Sequence, residues 1–353
     1  MRKYFFVCSI LLLYTSIASA KILYVSVTNG EGGIYVMDDD GNNRMLLTDT
    51  NSPSNPRWSP DGKKIVFVRR ALPENAQSSY LFLMNPDGKD IIQLTGQHNA
   101  FDEFPTFSPD GRSILFFRYE RLGNGNDKFS IKILNLVNRE IHEISNHPAN
   151  YLDWSPDGRK VIFSERPMEE GHRTNIYIMD ADGDNRNELL PLPPVDDFFL
   201  YLTYPRWSQD GQQILYVQRE IGWLDNQRRI IQLWKAHRFM ISDSNGNFIQ
   251  QLDIPINRFC VRVDWMDNDQ SIIFSGCEVE LNKPILPNTV IPPYNIYKFH
   301  IDSGKITRLT ERNGDDQAVD WISDDVYLVS PNGKQTARWG ALKTLSPVNR
   351  PKN

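Results

Sequence analysis

Six residues hold the most suggestive spacing in this 353-residue chain. Arg57, Thr106, Asp153, Arg206, Asp264 and Asp320 each stand one position before a recurring aromatic anchor. Opposite charges drawn out of water attract strongly. Two arginines and three aspartates brought into one layer would therefore pair neighbouring repeats. The competing role is to hold a ligand or an ion in a central channel.

Other chemistries have weaker support. His98, His142, His147, His172, His237 and His300 lack metal-binding spacing such as His-x-His or His-Glu-x-x-His. His98 and His147 nevertheless fall in equivalent connections of adjacent repeats. Asp102-Glu103 and Asp315-Asp316 form an acidic set that could attract a cation. Asp180-Ala181-Asp182-Gly183-Asp184-Asn185 invites a calcium reading. A calcium loop needs a distant bidentate glutamate, and none recurs at a fixed offset, so a hairpin turn is the plainer reading. No Gly-x-Ser-x-Gly nucleophile elbow occurs. The cofactor expectation is accordingly none, with Ca2+ as the exception to test.

The elements that would position these residues come from the anchors. They begin at Trp58, Phe107, Trp154, Trp207, Trp265 and Trp321, and are 49, 47, 53, 58 and 56 residues apart. The first three read Trp/Phe-Ser-Pro-Asp-Gly, the fourth Trp-Ser-Gln-Asp-Gly, and the last two are worn. Repeats of this length indicate a propeller or a solenoid. After each anchor comes a β-branched, aromatic run such as Ile65–Val68 or Ile114–Phe117, which reads as a strand. Between the two, proline presets φ, aspartate bonds nearby backbone and glycine accepts positive φ, which makes a tight turn. A second phrase, Ile34-Tyr35-Val36-Met37-Asp38-Asp39-Asp40-Gly41 and its copies, adds two more strands.

Four antiparallel strands per unit, A to D, are the blades of a β-propeller. The expected class is all-β, a six-bladed propeller with a closing blade shared by both ends of the repeat region. Ile22–Val27 then supplies strand B and Val319–Ser323 strand A. Asp325–Ser330 competes for that strand B, and Ala337-Arg338-Trp339 echoes a seventh anchor. Gln227–Arg238 reads as a helix or an overlong third strand.

Propeller geometry puts the A–B and C–D turns on one face and the B–C and D–A connections on the other. The second face carries the long, unrepeated stretches at 70–79, 119–128, 222–229, 277–293 and 191–204. Loops on a rigid scaffold are where binding usually resides. The binding candidates there are Phe198, Phe199, Tyr201, Tyr204, Trp223, Arg118 and Arg219. Cys260 and Cys277 flank a hairpin nearly opposite one another, so a disulfide is expected between them.

Arg2 and Lys3, the apolar run Tyr4–Leu13 and Ala18-Ser19-Ala20 read as a signal peptide over residues 1–20. The expected domains are one propeller over 21–343 and a tail over 344–353. Without the signal, 37 Lys and Arg face 44 Asp and Glu, a net charge of about −7, which argues against a nucleic-acid surface. No later apolar run approaches the ~18 residues of a membrane span. The reading is an exported monomer, periplasmic or extracellular.

The repeats closely resemble those of TolB-like β-propellers, from about Ile22 to Ser330. They carry Trp-Ser-Pro-Asp-Gly, a hydrophobic strand, Ile-Tyr-Val-Met-Asp-x-Asp-Gly and Leu-Thr. The resemblance implies the fold and says little of activity, since such propellers accompany many functions. The Tol-system protein carries a domain before its propeller, and here the repeats follow the signal directly, so its partnership is not carried over. The repeats also resemble the propellers of prolyl-oligopeptidase-type enzymes, whose hydrolase domain has no counterpart here. Related polysaccharide lyases use metal-bound histidines near the positions of His98 and His147. The expectation is a non-enzymatic module that binds a protein or glycan on its loop face. The alternative is a metal-dependent carbohydrate-active enzyme at the channel mouth.

Overall fold

A computed structural model describes residues 20–323 and Val326, apart from 29–30, 49–51, 72–77, 97–98, 124, 166–172, 191–197, 224–231, 255–257, 279–283, 286–291 and 312–313. The first nineteen residues, most of Asp325–Ser330 and the 337–339 echo lie outside them. So do the signal-peptide and tail assignments, apart from Ala20.

The chain is all-β, and its described strands fall into six antiparallel units. Their A strands are Ser54–Trp58, Ala100–Phe107, Ala149–Trp154, Phe198–Trp207, Arg258–Met266 and Asp315–Ile322. We number the blades one to six in that order. Each A strand touches the next, and the sixth touches the first, so the A strands line the centre. In blade six, Asp315–Ile322 pairs with Lys21–Thr28, followed by Glu31–Asp38 and Met45–Thr48.

Period-2 alternation explains how the blades pack. In the strand Ile65–Arg70, Ile65 and Phe67 join a cluster with Leu23, Val25 and Val36 of blade six. Val66 and Val68 point the other way, against Phe107, Ile114 and Phe116 of blade two. One buried apolar cluster fills each junction around the ring. Burial of both faces of the B strands is why each reads as an unbroken apolar run, whereas the outer D strands are largely exposed.

The turns are self-contained. In the first, the Gly62 amide donates to the Ser59 carbonyl at 2.9 Å, with Gly62 at φ 68°. The Ser59 hydroxyl donates to Asp61 at 2.7 Å and accepts from the Lys64 amide at 2.9 Å. Blades two, three and four repeat this arrangement. At the acidic C–D turn, Gly183 has φ 96°, and a Cβ there would lie 1.9 Å from the Ile144 carbonyl oxygen of the preceding blade. Asp180 takes hydrogen bonds from Asn185 at 2.6 Å and Lys160 at 3.0 Å. This stretch is a packed hairpin turn.

Blade four departs from its neighbours. Its strands Phe198–Trp207, Gln213–Trp223 and Gln232–Asp243 run to 10, 11 and 12 residues, against 5 for Ser54–Trp58. The described part of the 227–238 stretch is therefore the overlong third strand. Pro284–Ile285, from the B–C connection of blade five, pairs with Gln232–Leu233 of this extension. Among the described residues no helix is long and apolar enough to cross a membrane.

Candidate functional site

The channel is built in layers, because every A strand lines it and carries a register shift before its anchor. The residues one before each anchor converge. Arg57 Nη1 bonds Asp320 at 2.7 Å and Asp264 at 3.1 Å. Arg206 reaches Asp153 at 3.0 Å, Asp264 at 2.7 Å and Asp320 at 3.6 Å. Each aspartate also caps backbone. Asp320 accepts the Trp58 amide at 2.7 Å, Asp153 that of Trp207 at 3.0 Å and Asp264 that of Trp265 at 2.9 Å. Thr106, the uncharged member, is buried.

Three carboxylates share two guanidiniums, and no more than 16% of any of these side chains is exposed. Burial pushes Asp153 up to about 8 and Asp320 up to about 7, and Asp264 also rises. Burial works against the Arg57 charge, but Asp320, Asp264 and Asp153 outweigh it and hold its pKa above the ordinary value.

A second layer lies three residues before each anchor, toward the loop face. It comprises Asn55, Phe104, Tyr151, Tyr204, Arg262 and Ala318. All but Arg262 adopt φ of 51–56° in their bulges, a conformation uncommon away from glycine. The Arg262 guanidinium lies 5.6 Å from the Phe104 ring centroid, 5.1 Å from Tyr151 and 5.7 Å from Tyr204, within cation–π range. Tyr151 and Tyr204 have centroids 4.1 Å apart. Arg262 also donates to Asn55, whose amide donates to Glu103 at 2.9 Å. Burial raises the Glu103 pKa, against a 2.9 Å bond from Ser79. Arg262 of blade five, with Asn55, Glu103, Phe104 and Arg70 of blades one and two, lines a cavity of about 400 Å³ that also reaches blade six. In the sequence this layer shows only as an aromatic three residues before the anchor in three consecutive units.

The remaining predicted residues scatter. Tyr204 is buried and faces the channel rather than the surface, with Arg219 5.0 Å from its ring centroid. Tyr201 sits on strand A opposite Arg219, not on a loop. Arg118 is no surface binder: it is buried in a two-pronged bond to Asp102 at 2.6 and 2.9 Å. That pairing also closes Asp102 to a cation. The Asp315 carboxylate takes the Tyr294 amide at 3.1 Å. Phe198, Phe199 and Trp223 have their backbones on the blade-four extension, and their side chains lie outside the described residues. His98 lies outside them too, and His147 pairs with Glu165 at 3.3 Å. Among the described residues no three His, Cys, Asp or Glu are grouped to hold a metal.

The expected disulfide is absent. Cys277 is a free, buried thiol raised to about 11, chiefly by burial. The register sets Cys277 opposite Phe259 and Cys260 opposite Gly276. That one-residue offset places the two cysteines at alternating positions of the pleat; the Cys260 side chain lies outside the described residues.

On the turn face, a funnel of about 510 Å³ ends on the charged layer. The six anchor aromatics Trp58, Phe107, Trp154, Trp207, Trp265 and Trp321 line it, with Pro60, Pro109 and Pro156 at the rim.

Comparison with solved structures places this architecture. TolB from Acinetobacter baumannii superposes with a TM-score of 0.64 over 86% of this chain and 67% of that one, at 18% identity. The fold is that of the TolB-like β-propellers. An oligogalacturonate lyase in complex with manganese shares it at a TM-score of 0.53 and 13% identity, covering 82% of this chain and 73% of that one. In sequence, the chain is 27% identical over 210 residues to the Tol-Pal system protein TolB of Francisella tularensis, covering 56% of this chain and 44% of the relative. No family model matches. The chain spans from 24% to 62% of the length of the curated relatives it matches.

Proposed function

We propose that the protein is an exported, non-enzymatic binding module, periplasmic or extracellular, whose protein or glycan partner docks at the loop-face mouth of the channel. The observation that supports this is the second layer. Arg262 stands among Phe104, Tyr151 and Tyr204 at the edge of a 400 Å³ cavity. Arginine and aromatic side chains supply most of the energy at binding surfaces. The long strands of blade four extend it toward the loop face, where a partner would dock. The TolB-like fold suits a scaffold that presents loops.

The test is photo-crosslinking with probes placed at Tyr201 and Arg70, in cells exporting the native chain. Adducts from these positions should vanish when Arg262→Gln is introduced into a protein of unchanged thermal stability. Adducts that persist would remove the mouth from the binding surface. A stoichiometric transition metal in the purified native chain would instead favour the carbohydrate-active enzyme.

A further inference from the structure

The turn face offers a second site, independent of the loop-face reading. We propose that the funnel ringed by the anchor aromatics binds a cationic side chain, a lysine or arginine presented by a protein partner. Charge complementarity carries the argument. The floor holds Asp153, Asp264 and Asp320 against Arg57 and Arg206, one carboxylate more than the guanidiniums can neutralise. Those carboxylate side chains keep 10–16% of their surface exposed. Among the described residues no other lysine or arginine lines the funnel. At the neighbouring turns Lys63 is engaged by Asp61 at 3.4 Å and Arg159 by Asp157 at 3.9 Å.

The walls fit the same ligand. Tryptophan faces attract a desolvated cation, and the attraction grows where water is excluded. The funnel runs from the Ser-Pro-Asp-Gly turns, whose prolines line it, to the layer one residue before the anchors, and encloses about 510 Å³. A cation reaching the base would add the positive charge that the floor lacks.

Without a bound cation, a proton supplies that charge. Asp153 and Asp320 hold it because burial and their mutual repulsion with Asp264 disfavour three anions. The groups facing them are Arg57 and Arg206 within the layer, Arg262 on the loop side acting on Arg57, and Asp269 of the blade-five turn acting with Asp264. Cation binding therefore displaces a proton. Affinity should rise with pH through the neutral range, by at most about tenfold per pH unit.

The experiment titrates the native full chain with N-acetyl-arginine amide and with its neutral isostere, N-acetyl-citrulline amide, following the indole N–H resonances. The expected result is saturable shifts at the funnel tryptophans with the arginine compound, at least tenfold weaker binding of the citrulline compound, and tightening from pH 6 to pH 8. Asp264→Asn should weaken arginine binding at least tenfold. Should that variant fail to fold, the citrulline comparison and the pH series of the unaltered chain still decide. Equal response to both compounds, pH-independent affinity, no saturable shift, or shifts confined to Trp223 and Trp234 of the blade-four extension would each overturn the proposal.

Discussion

Aspartate appears in two settings within a few residues of each other, and the molecule treats it in opposite ways. Asp110 and Asp157 sit in the Ser-Pro-Asp-Gly turns. Each accepts a serine hydroxyl at 2.6 Å and a backbone amide at 3.0 Å, and their pKa values fall below the ordinary carboxylate range. Asp153 and Asp320 lie one residue before an anchor, and burial drives them up to about 8 and about 7. The turn carboxylate is solvated, local and content as an anion. The channel carboxylate is desolvated, long-range and short of countercharge. Recurrence thus marks the part of the repeat that is structurally uniform, while the residue beside it carries what is particular to this chain.

The strongest way to break the contrast is Arg206→Ala. It strips partners from Asp153 and Asp264 at once. Removing one partner of a buried ion pair costs about 3–5 kcal/mol, read by chemical denaturation. A loss under about 1 kcal/mol would mean that the layer is solvated. Next in size is the response to pH. The ring aspartates have folded pKa values above the unfolded ~3.9, so their contribution is fully present below ~4 and is lost as pH rises through about 7 and about 8. The turn aspartates have depressed values, so their contribution is present above ~3.9 and is lost on acidification. Stability should peak between these limits, and a maximum above pH 8 would contradict the ring assignment. Ser155→Ala removes one local hydroxyl bridge and should cost about 1 kcal/mol, far less than Arg206→Ala. Smallest in energetic terms is Cys277: its buried thiol should stay unreactive toward a thiol reagent in the native chain and react on unfolding.

Much of the fold was legible in the sequence. The tryptophan anchors, the turn chemistry and the double-faced apolar B strands each reported a local rule. The pairing of the 315–322 and 21–28 strands followed from a strand A without a strand B and three strands without an A. The charged layer was legible because its members hold one fixed offset from the anchor. The second layer was not, since a bulge bends each strand and φ turns positive at Phe104, Tyr151 and Tyr204, residues that carry no local signal for that conformation. Arg118 was misplaced because its partner Asp102 lies on the neighbouring strand, and only the register sets them opposite one another. The cysteine pairing failed for the converse reason: nearness along a hairpin did not fix the register.

The contrast between the two aspartate populations is tested most directly by carbon-detected NMR titration of the side-chain carboxyls in the native protein. The account predicts two ring carboxyl resonances, assigned to Asp153 and Asp320, that titrate near 8 and near 7, while those of Asp110 and Asp157 complete their titration below the ordinary aspartate value. Ring and turn carboxyls titrating together near ~3.9 would contradict it.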